Sequence, residues 1–257
     1  METLTSFSDH IIMRTAKVKL NFINAARGTD MNTSIHIFVG HYGSGKTECA
    51  INYAIKQVEC GREVAMADLD IVNPYFRTRQ QALMLGARGI RVVSSNFNND
   101  WKIDIPGISS EVQSFFVDNG RDNVVDVGGN AVGARVLARF RDQITDDSYA
   151  MWLVVNANRY ESQTTNQVLE FAQEIQDACK LSITGLINNT HMLQETTLED
   201  ILRGDAVVRE VSKKMQIPCL YCTCPPELME TCKAQKPSLA GEIVPVRMYV
   251  RPEYLMD

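Results

Sequence analysis

Hydrophobic residues recur with two alternating periods along the chain. Short, β-branched apolar runs such as 35–39 and 150–155 have the length of buried strands. Segments such as 47–59 and 164–179 instead place apolar side chains three and four positions apart, which is typical of amphipathic helices. This alternation predicts an α/β fold in three layers, with a mostly parallel sheet and helices on both of its faces.

The predicted elements fill most of the chain after residue 34. The strands are predicted at 35–39, 63–67, 90–93, 123–126, 150–155, 182–188 and 219–223, with the last of these ending the core of the sheet. The helices are predicted at 47–59, 78–85, 109–117, 132–144, 164–179 and 198–215. Residues 241–257 contain Pro245 and Pro252 and are predicted to be extended.

The first 30 residues differ in character from the rest. Residues 10–29 carry Arg14, Lys17, Lys19 and Arg27 and no acid. A surface-seeking amphipathic helix or a transit-like segment is one interpretation. We favour a disordered extension, or translation begun upstream of a true start at Met31. Residues 31–257 are then predicted to form a single domain.

Composition excludes several classes of protein. The 257 residues include 45% hydrophobic residues and carry a net charge of −5, from 26 Lys and Arg against 31 Asp and Glu. A disordered chain and a membrane-spanning protein are both excluded. The acidic balance argues against DNA as the main partner, because phosphate contacts need a basic surface. Seven cysteines, an odd number, and no secretory signal favour the cytoplasm.

A glycine-rich segment between the first strand and the first helix matches G-x-x-x-x-G-K-[ST] without a gap. Its backbone N–H groups and the following helix N-terminus would bind phosphates. The lysine would contact the β- and γ-phosphates, and the threonine hydroxyl would bind Mg²⁺. The predicted binding residues are Gly40, His41, Tyr42, Gly43, Ser44, Gly45, Lys46 and Thr47.

Acids end two of the predicted strands, at the edge where ligands of open α/β sheets bind. Asp126 precedes Gly128 and Gly129, which is the pattern of an acid that holds Mg²⁺ through water. Asp68 and Asp70 are two apart and share a face. One could orient the attacking water or contact the metal shell, and the other could anchor the loop. An N-cap role for one of them is an alternative.

The segment 73–79 follows directly, where a nucleotide-sensing switch would lie. Arg77 or Arg79 could neutralise charge in the transition state, although a surface salt bridge is an equal alternative.

With these motifs, the chain resembles the MinD/ParA/CobQ-CobB class of P-loop proteins, which also contains nitrogenase iron protein. The resemblance implies that Asp70 is the catalytic carboxylate, together with Lys46, and that Asp126 and Asp70 lie in the metal shell beside Thr47. It also implies that Asn188 contacts the nucleotide base. The class binds ATP, often as a sandwich homodimer, and hydrolyses it slowly to drive a partner.

Two positions refine this expectation. His41 replaces the signature lysine that ParA- and MinD-like members extend across their dimer. The stretch 188–191 reads Asn-Asn-Thr-His and lacks the acid that binds guanine, which favours ATP over GTP. We therefore expect a Mg-dependent ATPase that acts as a switch or maturation factor for a partner protein. The alternatives are an ATP-dependent small-molecule ligase or kinase of the CobB or dethiobiotin synthetase type, and a sensor without turnover.

Four late cysteines have two interpretations. Cys219, Cys222, Cys224 and Cys232 are close enough in sequence to hold zinc or an iron–sulfur cluster. Buried free cysteines at a strand end are the interpretation that we favour.

Overall fold

The computed structural model of the protein describes residues 34–69, 82–94, 110–116 and 120–250. Asp70, the segment 73–79 and the extension 1–30 lie outside the described residues. None of the helices within the described ranges combines the length and apolarity needed to cross a lipid bilayer.

Strands and helices alternate along the described chain, as the hydrophobic periods predict. The strands are β1 (Ile35–Val39), β2 (Val64–Leu69), β3 (Arg91–Ser94), β4 (Asp122–Val127), β5 (Tyr149–Val155), β6 (Gly185–Asn188), β7 (Cys219–Cys224) and β8 (Glu242–Pro245). The helices are α1 (Lys46–Glu59), α2 (Ala82–Ala87), α3 (Ser110–Gln113), α4 (Ala131–Ala138), α5 (Thr165–Cys179), α6 (Leu198–Met215) and α7 (Met229–Ala234).

The eight strands form one sheet in the order β3-β2-β4-β1-β5-β6-β7-β8. Each neighbouring pair is parallel, so all the strands end at the same edge of the sheet. β1 lies between β4 and β5, and the chain therefore moves to one side of β1 for β2 to β4 and to the other side from β5 onward. The edge beyond β1 is the switch point where ligands of such sheets bind.

Each face of the sheet has its own hydrophobic core, which confirms the predicted three layers. Val39, Leu69 and Phe171 belong to the core that packs under α4, α5 and α6. Phe38 and Trp152 belong to the core on the face covered by α1 and α2. Strands buried on both faces read as continuous apolar runs, and this explains the pattern of β1 and β5.

The structure differs from the sequence prediction at several elements. β6 begins at Gly185 rather than at 182, and α3 ends at Gln113 rather than at 117. Two further differences have a clear physical reason. β8 adds a parallel strand beyond β7, the strand predicted to be the last. It contains Pro245, which an edge strand tolerates because one side of its backbone needs no partner strand. Helix α4 ends at Ala138 rather than near Ile144, because Phe140 N–H bonds Leu137 O at 2.9 Å in a tighter turn.

Candidate functional site

Residues 40–47 form a tight loop between β1 and α1. Gly43 and Gly45 have φ angles of 77° and 80°, a left-handed conformation that other residues rarely adopt. The Ser44 N–H closes a turn on His41 O at 3.0 Å, and α1 begins at Lys46. The motif therefore lies in the strand–loop–helix setting that the sequence predicts, with the helix N-terminus directed at the loop.

Side chains from two other loops hold the backbone of residues 40–47, which we call the phosphate loop after its predicted ligand. Asn156, just after β5, donates to Gly43 O at 3.2 Å, and Arg159 donates to the same oxygen at 3.2 Å. Asn189, just after β6, donates to Ser44 O at 2.6 Å. These bonds occupy carbonyl oxygens of the loop, so its N–H groups remain the groups that can face an anion.

The Thr47 hydroxyl and the Asp126 carboxylate meet on the α1 side of the sheet. Thr47 Oγ1 donates to Asp126 Oδ2 at 2.6 Å, and the two residues are 8% and 0% exposed. The motif residue Lys46 is buried beside them. The structure thus brings together three of the residues that the sequence assigns to phosphate and metal, Lys46, Thr47 and Asp126.

Asp68 adds a second buried carboxylate next to Asp126. The two residues are register partners on β2 and β4, and Asp126 is also the register partner of Phe38 on β1. Register partners in a parallel sheet face the same side, so Asp68 lies on the side of α1. Because Asp70 lies outside the described residues, its role as catalytic carboxylate and metal-shell residue stays a prediction.

Two glycines are required by close backbone approach at the loop. A Cβ on Gly40 would lie 2.5 Å from Val154 O, and a Cβ on Gly129 would lie 2.9 Å from Tyr42 N. Gly129 follows Asp126 by three positions, so the end of β4 packs directly against the phosphate loop. A change in the backbone conformation of residues 40–47 would therefore displace Gly129 and its neighbours.

His41 folds back onto helix α5. Its ring stacks on Phe171 with the centroids 3.7 Å apart and the planes at 28°. Burial lowers the pKa of His41, and the nearby Glu161 and Glu174 oppose that change. His41 therefore makes a stacking contact with a helix of its own chain.

Asn188 lies inside the fold. It is 0% exposed, and its side-chain nitrogen donates to Ile201 O at 3.0 Å and contacts Cys222 Sγ at 3.5 Å. Its side-chain oxygen accepts from the backbone and hydroxyl of Thr190. A contact with a base would require this network to open, so that role stays a prediction, whereas its neighbour Asn189 does reach the loop.

The late cysteines lie in an apolar environment. Cys222, Cys224 and Cys232 share a small core with aliphatic side chains of α6 and β8. Burial raises the pKa of the Cys224 thiol to about 12 and also that of Cys222. Within the part of the chain that the structure describes, no three His, Cys, Asp or Glu side chains are arranged to hold a metal. These cysteines pack as core residues.

The opposite end of β4 carries a separate buried charge. Asp122 is 1% exposed, and its Oδ1 accepts a 2.7 Å hydrogen bond from Arg62 Nη2. Arg62 Nε also lies 2.7 Å from its Oδ2, as an ion pair. The His36 ring lies 3.7 Å from the same carboxylate. This ion pair stabilises the amino edge of the sheet and is remote from the phosphate loop.

Sequence reasoning missed Asn156, Asn189, Arg159 and Phe171 as neighbours of the loop. Asn156 and Asn189 are polar residues placed directly after buried strands, at the edge where the loop lies, and that position was an available signal. Arg159 and Phe171 carry no such signal, because their contacts depend on how α5 packs.

Comparison with solved structures shows the same fold in FtsY. FtsY from Mycoplasma mycoides matches with a TM-score of 0.51 and 18% identity, over 75% of this chain and 60% of that chain. Chloroplast FtsY from Physcomitrella patens matches with a TM-score of 0.50 and 19% identity, over 74% and 58%. A nucleotide-binding protein from Archaeoglobus fulgidus, in complex with ADP, matches with a TM-score of 0.49 and 14% identity, over 79% and 86%.

This chain spans about three fifths of the length of those FtsY chains. No protein-family model and no curated protein matches it. Membership of the MinD/ParA class stays a prediction, and what the comparisons show is the fold of P-loop NTPases.

Proposed function

We propose that the protein binds Mg–ATP at residues 40–47 and hydrolyses it slowly as a switch for a partner protein. The observation that carries the proposal is the 2.6 Å bond between Thr47 and Asp126 beneath a closed phosphate loop. A hydroxyl and a carboxylate, both hard oxygen donors, meet where the γ-phosphate side of a bound nucleotide would lie.

Each residue of the site has a distinct role in this proposal. The loop N–H groups and the N-terminus of α1 bind the phosphates. The Lys46 ammonium offsets charge on the β- and γ-phosphates. Thr47 and Asp126 would hold Mg²⁺ with their oxygen atoms. When bound, Mg²⁺ neutralises charge that develops on the phosphates.

Asp70 is the proposed residue that orients the attacking water. Support comes from its position two residues after Asp68, whose register partner is Asp126. Residues two apart on an extended chain face the same side. Asp70 would then face the phosphates from the same side as the metal-binding pair.

ATP is the proposed nucleotide, because residues 188–191 lack an acid that could accept the two guanine donors. The side chains at 188–191 are two amides, a hydroxyl and the His191 imidazole, and Asn188, Asn189 and Thr190 are all buried. We retain Asn188 as the proposed base contact, through an opening of its network with Thr190.

Exposed apolar side chains that follow the carboxyl ends of the strands favour a protein partner over a small polar substrate. Among the described residues, Tyr42 is 63%, Val132 58%, Tyr160 78% and Met192 48% exposed. These four follow β1, β4, β5 and β6, so they all lie at the edge of the sheet that carries the phosphate loop. Exposed apolar side chains gathered in one region are typical of protein interaction sites.

Phosphate release from ATP by the full chain, with no other substrate added, tests this proposal. The switch predicts slow, Mg-dependent release that Asp70→Asn abolishes while ATP binding persists. Tight ATP binding with no release would contradict it. Phosphate release that begins only when a carboxylate substrate is added would then support the ligase or kinase alternative. No phosphate release even with the substrate would support the sensor.

A further inference from the structure

The residues after β8 form a strap, defined here as residues 246–250, that crosses helix α1. The backbone of Arg247 exchanges two hydrogen bonds with the Asn52 amide, of 2.8 and 3.0 Å. The backbone N–H groups of Tyr249 and Val250 both donate to the Glu48 carboxylate, each at 2.8 Å. Val250 is 5% exposed, so the end of the strap is packed against the protein.

The strap runs from β8, one outermost strand of the sheet, toward β3, the other outermost strand. It leaves β8, the strand at one edge, and its Tyr249 ring lies under the Arg88 guanidinium, 5.5 Å from the ring centroid. Arg88 precedes β3, the strand at the other edge. Between these points the strap contacts the first turn of α1, next to the phosphate loop.

Glu48 occupies the third position of α1, after Lys46 and Thr47. A carboxylate or amide at that position ordinarily reaches back to the N–H of the residue that caps the helix. Two other helices of this protein do so: Gln167 accepts from Thr164 N at 2.9 Å, and Asp200 accepts from Thr197 N at 2.9 Å. In α1 the Glu48 carboxylate instead accepts hydrogen bonds from the backbone of the strap.

The direction of Glu48 matters because the capping residue of α1 is Gly45, part of the phosphate loop. A carboxylate that reached back to the Gly45 N–H would occupy a donor of the phosphate loop. It would also repel a bound phosphate. Two N–H groups of the strap satisfy the carboxylate away from that position.

We propose that the strap is a latch that holds the Glu48 carboxylate away from the phosphate loop, so that strap docking and nucleotide binding favour each other. Glu48 is thus a positioning residue that acts through its contact with the strap. This inference rests on the proposed function, because it concerns the affinity of the same loop for a nucleotide.

Val250→Pro tests the latch, because proline removes one donor to Glu48 and leaves α1 unchanged. Val250→Ala is the matched control, since it keeps the N–H and loses side-chain packing. We expect Val250→Pro to weaken ATP affinity about tenfold relative to Val250→Ala, the effect of a nearby like charge. In the Glu48→Ala background, the same proline should leave ATP affinity within about twofold of Glu48→Ala alone, since no side chain can then reach back to the loop.

Loss of affinity that persists in the Glu48→Ala background would overturn the latch, because the strap would then act through packing alone. Equal affinity for Val250→Pro and Val250→Ala would overturn it as well. If Val250→Pro does not fold, hydrogen exchange of the wild-type amides decides the matter. ATP must slow exchange at Tyr249 and Val250, since linkage is reciprocal, and unchanged exchange would contradict the latch. A wild type that binds no nucleotide would instead remove the proposed function itself.

Discussion

The Thr47 hydroxyl donates a 2.6 Å hydrogen bond to the Asp126 carboxylate, across 79 positions of sequence. Both side chains are buried, and the bond joins the first turn of α1 to β4, whose carboxyl end packs on the phosphate loop. A metal ion bound by Thr47 would replace this bond. The contact therefore links metal binding to the position of the segment after β4.

Asp126→Asn should abolish most of the stimulation of ATP binding by Mg²⁺. The amide keeps the size of the side chain but removes the charge that holds the metal-bound water. We expect the Mg-dependent part of ATP affinity to fall about 10- to 100-fold, with Mg-free binding retained. Isothermal titration with and without Mg²⁺ measures both.

Asp122→Asn is the matched control, because Asp122 is equally buried at the other end of β4. It breaks the ion pair with Arg62 and should lower the free energy of unfolding by about 1–3 kcal/mol. Its Mg-dependence of ATP binding should equal that of the wild type. Equal losses in both variants would contradict a metal role for Asp126.

Asn189→Ala should weaken ATP binding, although the proposed site gives Asn189 no contact with the nucleotide. The change removes the 2.6 Å bond to Ser44 O and frees the loop to leave its closed conformation. One such bond corresponds to about 1 kcal/mol, or about fivefold in affinity. Asn166→Ala, at an exposed position on α5, is the control and should leave affinity unchanged. Identical affinities would show that the loop holds its conformation without Asn189.

Gly129→Ala should impair nucleotide binding because its Cβ would lie 2.9 Å from Tyr42 N and 3.3 Å from Gly40 O. The backbone of the phosphate loop must then shift. Gly86→Ala is the control, since a Cβ there meets nothing within 4 Å. In helix α2 that change should stabilise the protein by about 0.5–1 kcal/mol. Normal ATP affinity in Gly129→Ala would contradict the close packing.

His41→Phe should remove a loss of stability at acid pH. Burial lowers the pKa of folded His41 below 6.5, its ordinary value, so the unfolded chain binds a proton more readily. The stabilisation from neutral His41 is therefore complete above that value and is lost as pH falls toward the folded pKa. Urea unfolding should show the wild type losing stability relative to His41→Phe as pH falls below about 7. Parallel profiles would contradict the assignment.

The sequence was most informative where neighbours in space are also neighbours in the chain. Gly40–Thr47 and Asp126–Gly129 are each contiguous, so their composition predicts the local geometry and the strand ends that carry it. The bounds of α5 and α6 were likewise predicted to within one residue, and their capping residues, Thr164 and Thr197, lie directly before them.

Contacts between distant segments could not be predicted in this way. Asn189 and Ser44 are 145 positions apart, and Glu48 and Val250 are 202 apart. Such pairs depend on strand order and helix packing, which hydrophobic periods leave open. β8 was missed for a related reason, because a short edge strand with Pro245 lacks the apolar run of a buried strand.

The most direct test of the central claim is the titration of ATP, with Mg²⁺, into the wild type and Lys46→Ala, followed by thermal unfolding to confirm that both are folded. The claim predicts saturable binding of ATP by the wild type, tighter than binding of GTP, and a large loss of affinity in Lys46→Ala. Equal affinity of the two proteins for ATP, or no binding by the folded wild type, would contradict it.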